Sequence, residues 1–331
     1  MELAFAKPAL VKREKLRTRV WQQIVLGVFV GAMGAVQRLP RATALRLGAA
    51  LGRLACRVDK KRRWYAQRNL RVAYGESLAP RERDTLIRCT FEHWGKSTID
   101  FLRAPALTRA QRDALVTGVE GREGLEALCA EGKGFIIVTG HLGDFEFLGR
   151  WLADQGVPST VIVREPSNPA FAAYIRRMRE YGGNEALSRG TSPRELLSRL
   201  RKGRVITLGI DQNSSDIFVP FFGVPAGTAT GPAVLALRTG VKLLPAFCVR
   251  EPDDSYRILF GEPIAATATG DRDADVARVT SEASAALERV VRRYREQWLW
   301  LHNRWKNAFD ENNRARWPEG YDFDAARARW I

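Results

Sequence analysis

Cysteine is scarce in this sequence: Cys56, Cys89, Cys129 and Cys248 are the only four in 331 residues, and no two form a CxxC pair. That excludes a disulfide framework and a thiolate metal site, and it reads as reduced thiols in a cytosolic compartment. Histidine is scarcer still, at three, with no ladder of carboxylates beside any of them, so no metal ion is expected. Gly118, Gly121 and Gly124 do not make a GxGxxG, and there is neither a Walker A run nor a GxSxG elbow. Dinucleotide, P-loop and serine-nucleophile chemistry are therefore set aside, and no cofactor is expected. Repeats and low-complexity linkers are absent as well. Acidic residues are nearly missing from positions 1–72, where three face seventeen lysines and arginines, while the whole chain carries a net charge of +16. A basic end on a near-neutral body points to an anionic surface as partner, either nucleic acid or membrane phosphate.

The basic end contains one stretch without charge, the eighteen residues 20–37. As a helix it spans about 27 Å, slightly short of a hydrocarbon core of roughly 30 Å. Arginines and lysines flank it on both sides, which resists moving either flank across a bilayer and disfavours reading it as a cleaved signal peptide. In the next segment Leu47, Leu51, Leu54 and Val58 fall in one narrow helical stripe, and Arg46, Arg53 and Arg57 fall together about 100° away. A leucine edge beside an arginine edge suits a lipid interface, and Lys60-Lys61-Arg62-Arg63-Trp64-Tyr65 adds aromatics for the headgroup depth. The alternative is a core helix with a solvated face. A membrane surface is preferred over nucleic acid, for which no recognition module is present.

The body reads as one α/β domain. Residues 81–103 have helical spacing, with His93 on a packing or solvated face. Strands are predicted at 135–139, 160–163, 205–210, 243–249 and 256–260. Helices are predicted at 145–155, 170–181, 193–202 and from 273 to 301. Strands separated by helices of this length imply a mostly parallel central sheet flanked by helices, entered through an N-terminal helical membrane-anchoring region. The expected division is 1–72 for the basic anchor and interfacial region, 73–310 for the α/β domain, and 311–331 for a surface tail.

Chemistry is most concentrated in Thr139-Gly140-His141-Leu142-Gly143-Asp144-Phe145-Glu146. His141 follows a predicted strand at the carboxyl end, where open α/β sheets place their ligand crevice. Glu146, five positions on, is off the helical face of His141 unless the histidine occupies the turn. Gly140 and Gly143 supply the backbone freedom for that. A carboxylate on one ring nitrogen leaves the other as a general base for a hydroxyl. Asp144 is the second candidate for that carboxylate. Asp211 and Gln212 end another predicted strand and point into the same crevice or form a turn. Val219–Val224 lines an apolar chain or is core. Thr228, Thr230 and Gly231 precede Pro232, as a phosphate site or a plain cap. The Trp298–Trp305 cluster, His302 included, reads as packing.

Taken together these runs resemble the bacterial lipid A biosynthesis acyltransferases, within the wider lysophospholipid acyltransferase superfamily. The likeness rests on HxxxxE after a strand, Val163-Arg164-Glu165-Pro166 with Asn168-Pro169, Ile210-Asp211-Gln212-Asn213, residues 219–225, residues 228–233 and the closing run 297–306. It extends over about residues 15–310. Asn213 departs from it, standing where relatives often have an acidic residue. The resemblance implies His141 and Glu146 as the catalytic pair and Arg164 as a third active-site residue, steadying an oxyanion or clamping a phosphate; a salt bridge to Glu165 is the structural alternative. Asp211, Gln212, Thr230 and Gly231 are the expected substrate contacts. The donor it implies is an acyl-acyl carrier protein or acyl-CoA, and the acceptor a lipid A precursor. The place it implies is the cytoplasmic face of the inner membrane. Another glycolipid or aminolipid, of phosphatidylinositol mannoside or ornithine-lipid type, is the alternative acceptor.

Overall fold

The computed structural model describes residues 16–163, 166–180, 182–188 and 190–330, with side chains from Trp21 onward. Three helices come first: α1 (Leu16–Arg38), α2 (Arg41–Val58) and α3 (Lys60–Tyr74). Asp59 ends α2 and caps α3, its carboxylate accepting from the Arg62 N–H at 2.9 Å. The long α4 (Pro80–Arg103) starts on Pro80, and Glu82 reaches back to the Ala79 N–H. It crosses α2 with almost no side chain between: a Cβ on Gly95 would stand 2.1 Å from the Gly48 carbonyl oxygen.

The α/β body alternates: α5 (Arg109–Asp113), β1 (Val116–Glu120), α6 (Arg122–Ala130), β2 (Ile136–Thr139), α7 (Phe145–Asp154), β3 (Ser159–Val163), α8 (Pro169–Arg179), β4 (Glu185–Ser188), α9 (Pro193–Arg201) and β5 (Val205–Gly209). Of these, β2, α7, β3, α8, α9 and β5 lie where the spacing predicts them, and α5, β1, α6 and β4 are present in addition. After these come β6 (Ile217–Phe221), β7 (Val224–Thr228), α10 (Gly231–Thr239), β8 (Leu243–Arg250), β9 (Tyr256–Phe260), α11 (Arg272–Arg293) and α12 (Phe323–Trp330). Asn168, Ser192 and Asp271 cap α8, α9 and α11, and proline opens α8 and α9.

Seven strands form one sheet in the order β1-β9-β8-β2-β5-β3-β4, parallel except where β8 meets β9. The expected mostly parallel sheet flanked by helices is present. In the sheet's centre β2 runs beside β5 with Thr139 opposite Gly209. Helices α9, α10 and α11 bury Ile136, Val138 and Ile206 on one face, and α7 buries Ile137 and Val205 on the other. β6 and β7 form a separate hairpin around Phe222 and Gly223, both with positive φ (55° and 71°), the geometry of a type I′ turn. Residues 219–224 are thus hairpin core, not cavity wall.

Two expectations change. The helix foreseen to 301 stops at Arg293, and Trp298 is extended, because its indole is needed elsewhere. Residues 311–330, expected as a surface tail, fold back instead: Phe323 is buried against Phe309 and Trp317, and Trp330 stacks under the Arg68 guanidinium.

The charge-free stretch, read above as part of a membrane anchor, lies in α1, but no helix among the described residues is long and apolar enough to cross a membrane. Glycines, alanines and three glutamines dilute the apolar character of residues 20–37. One side of α1 packs into the body, with Phe29 edge-on to Phe171 and the Tyr174 hydroxyl on Met33 Sδ. Its other side leaves Trp21, Ile24 and Val28 exposed.

Candidate active site

At the carboxyl end of β2 the chain must turn sharply while β8 and the 297–299 segment press on it. Gly140 fits because a Cβ there would stand 2.9 Å from Leu287 and 3.2 Å from the Asp211 carboxylate. Gly143 has φ +61°, and a Cβ would meet the Cys248 carbonyl oxygen at 1.9 Å. Backbone bonds clamp the loop: Gly143 N–H to the Gln297 carbonyl, Asp144 N–H to that of Cys248, and Leu299 N–H to that of His141.

Held this way, His141 meets Asp211. Its Nδ1 is 2.8 Å from Asp211 Oδ1, its backbone N–H donates to Oδ2 at 2.7 Å, and the Trp298 indole N–H donates to the same Oδ2 at 3.0 Å. Burial would raise the Asp211 pKa, but the His141 imidazole and these donors hold the carboxyl down at about 2. Burial alone would lower the His141 pKa; the Asp211 charge and hydrogen bond outweigh it, with Glu146 adding to them, and the net shift is upward. An ionised acceptor on Nδ1 fixes the proton there and leaves Nε2 as the lone-pair nitrogen. The Gln212 amide nitrogen stands 3.4 Å from that Nε2.

Glu146, expected on the imidazole, lies in the first turn of α7 and turns to α8 instead. Arg179 Nε bonds both of its oxygens at 3.0 and 3.1 Å, and Arg179 Nη2 makes a third contact. Asp144, the second candidate, is buried and paired with Arg250 at 2.9 Å instead. Burial, against the Arg250 charge, raises its pKa to about 6.

Gln212 lines the crevice, while Asp211, expected there as a substrate contact, is buried behind His141 and holds the imidazole. Gly231 lines the crevice at the start of α10, while the Thr230 N–H is taken by Asp216 at 3.1 Å. Arg164 lies outside the described residues. His302 is part of the frame: its Nε2 accepts from the Asn213 N–H at 3.0 Å, steadying the segment after Asp211. His93 is buried beside Ser97, and burial depresses its pKa to about 3. The closing run carries more than packing. Gln297 bonds both backbone groups of Arg250, and buried Arg304 bonds the Gly227 carbonyl and the Thr228 hydroxyl.

His141 opens on a cavity of about 460 Å³, within the size of small-molecule sites. Its mouth is polar, with His141, Glu146, Arg179 and Gln212. Its interior is mostly apolar, walled by Leu148, Leu152, Val161, Met178, Leu208 and Leu235, with Thr139, Arg150, Asn184 and Thr207 among them. Among the described residues no group of three or more His, Cys, Asp or Glu could hold a metal ion.

An imidazole at a strand end above a deep apolar recess is the furniture of enzymes that move acyl chains, and the protein is an acyltransferase. Residues 11–307 match the family model for bacterial lipid A biosynthesis acyltransferases, and the chain belongs to that family. It is 27% identical over 282 residues to the lipid A biosynthesis lauroyltransferase of Escherichia coli (strain K12), covering 84% of this chain and 90% of the relative. It is 25% identical over 303 residues to the lipid A biosynthesis palmitoleoyltransferase of the same organism, covering 89% and 94%. Against the phosphatidylinositol mannoside acyltransferase of Mycobacterium tuberculosis (strain ATCC 25618 / H37Rv) the identity is 29% over 245 residues, covering 70% and 74%.

Proposed function

We propose that the protein transfers a fatty acyl group from an acyl-acyl carrier protein to a hydroxyl of a lipid A precursor, with His141 as general base. The observation that carries this reading is the Asp211–His141 pair at the mouth of the apolar cavity. The acyl chain lies in the recess and places its thioester carbonyl beside Nε2. As the acceptor oxygen attacks that carbonyl, Nε2 takes its proton, and the Asp211 carboxylate stabilises the imidazolium that forms. The tetrahedral intermediate expels the thiolate, and the imidazolium returns the proton to sulfur. Glu146 and Arg179 stand across the mouth as a neutralised pair, so Glu146 holds a guanidinium near the reacting carbonyl instead of orienting the base.

The purified protein, given lipid A precursor and an acyl-acyl carrier protein, should yield a precursor heavier by one acyl group, read by lipid mass spectrometry. Transfer only to a phosphatidylinositol mannoside or an ornithine lipid, or only from acyl-CoA, would replace the acceptor or the donor in this reading.

The same proposal places the enzyme on the cytoplasmic face of the inner membrane, lying in the interface. Every exposed large hydrophobic side chain among the described residues falls between 21 and 64, on α1, α2 and α3. Leu47, Leu51, Leu54 and Val58 form the exposed edge of α2 beside exposed Arg46 and Arg57, while Arg53 is engaged with Glu92. Leu51→Ser with Leu54→Ser should weaken binding to anionic vesicles by at least about 10-fold, from the apolar area withheld from lipid. Arg46→Ala with Arg57→Ala should remove most of the salt dependence, since screening tightens from about 10 Å at 0.1 M to 3 Å at 1 M. Co-sedimentation that ignores both pairs of substitutions would refute this face.

A further inference from the structure

We propose that Gly149 sets the length of acyl chain the cavity accepts, by leaving open the part of the recess farther in than Glu146. The inference rests on the reading above that the recess holds an acyl chain. Gly149 lies in the middle of α7, where glycine is the poorest helix former after proline. Neither usual reason for a glycine applies to it. Its φ is not in the left-handed region, unlike that of Gly143. No neighbour presses on it, unlike Gly140: a Cβ built on Gly149 meets a single heavy atom within 4 Å, Asn184 Nδ2 at 3.9 Å. What the missing side chain leaves is space, and that space belongs to the cavity, which Gly149 lines.

Its position on α7 gives the space a direction. Glu146 is at the mouth, Gly149 is one turn deeper on the same face, about 4.5 Å along the axis, and Leu152 is a turn further. The wall there is fixed. Asn184 accepts from the Ser159 N–H at 2.8 Å and donates to the Gly149 carbonyl at 2.9 Å, tying α7 to the start of β3. A side chain at 149 therefore points into the recess with no room to be displaced by moving the helix.

The test uses the full chain with Gly149→Ala, Gly149→Leu and, on the opposite wall, Leu196→Phe. Each is assayed against acyl donors that differ in chain length. Free fatty acids of the same lengths are scored for binding by native mass spectrometry. In Gly149→Leu the longest chains used by the unsubstituted protein should lose roughly 10- to 200-fold in kcat/KM, the range for small misfits in an apolar pocket. Shorter chains should keep their values. Gly149→Ala should show a smaller shift and melt no lower than the parent, which separates the effect from unfolding. A loss uniform across lengths, an unchanged profile, or a length shift confined to Leu196→Phe would overturn the proposal. If the parent transfers no chain at all, the proposed function fails, and the role of Gly149 is still decided by binding. Long fatty acids held by the parent and lost from Gly149→Leu support it; equal binding, or none to the parent, overturns it.

Discussion

Asp211→Asn should lower kcat by roughly 10²- to 10⁴-fold, the usual worth of a general base, in a protein that still folds. The size follows from where the donors are. Asp211 Oδ2 receives two N–H groups, from the His141 backbone and the Trp298 indole, while Oδ1 faces His141 Nδ1. An asparagine must give its oxygen to the side with two donors, which turns its NH₂ toward the imidazole. Nδ1 then has to accept, the proton moves to Nε2, and the nitrogen at the cavity is no longer a base. His141→Ala should cost as much, because it removes the same function. The pH profile gives a second reading. Asp211 raises the His141 pKa, so the acidic limb of kcat/KM, where activity grows as the imidazole loses its proton, should move to lower pH in whatever activity remains. Glu146→Gln leaves this tautomer alone; because the Glu146 charge also raises the His141 pKa, the limb should move to lower pH, but by less than in Asp211→Asn, while Arg179 loses its anchor. Near-normal turnover by Asp211→Asn would remove the dyad from the chemistry, and a Glu146→Gln loss matching it with the same shift of the limb would restore Glu146 as the imidazole's partner.

That His141 and Asp211 meet is written in the register of two strands seventy residues apart. Thr139 on β2 lies opposite Gly209 on β5, and the Ile210 N–H bonds the Thr139 carbonyl. The residues two beyond 139 and 209 must therefore converge. Hydrophobic periodicity places both residues at strand ends, which is why both are expected in the crevice. It says nothing of which strands are neighbours, so the acid that the family resemblance places five positions on, Glu146, is the candidate for the imidazole. Its displacement has a local cause, since α8 brings Arg179 to the opening turn of α7 and a bidentate guanidinium satisfies both oxygens. The central strands are visible in the sequence because they are buried and rich in β-branched residues. β1 and β4 are edge strands of mixed exposure, without that signal. The stop of α11 is hidden for another reason: apolar residues resume at Trp298 as they would along a helix, and it is bonds to distant parts of the chain, Trp298 to Asp211, Gln297 to Arg250 and the 297–299 backbone to the His141 loop, that draw the segment out of it.

The second large effect concerns stability. Arg250 is buried at the end of β8, with Nη2 2.9 Å from both Asp100 and Asp144 and 3.1 Å from the Tyr256 hydroxyl. Arg41 bonds Asp100 from α2 at 3.2 and 2.8 Å, and Tyr256 donates to the same carboxylate. The group joins α2, α4, the His141 loop and the antiparallel pair of strands in one buried network. Arg250→Met keeps the packing volume but leaves two carboxylates with a single cation, an arrangement expected to cost about 3–5 kcal/mol. The cost should depend on pH with a definite sign. Asp144 already has a folded pKa of about 6, above its unfolded value, through burial. Loss of the Arg250 charge raises it further. A carboxyl whose pKa is higher in the folded state binds its proton more tightly there, so stability falls as pH rises from the unfolded value through the folded one. Urea denaturation should therefore show a larger deficit for Arg250→Met at pH 7 than at pH 5, and Asp144→Asn in the same chain should recover most of it at pH 7. Because the Asp144 backbone N–H also pins the loop that carries His141, kcat of the folded fraction should fall with Arg250→Met and return in part with Asp144→Asn. An equal deficit at both pH values would mean that Asp144 is not the group left uncompensated.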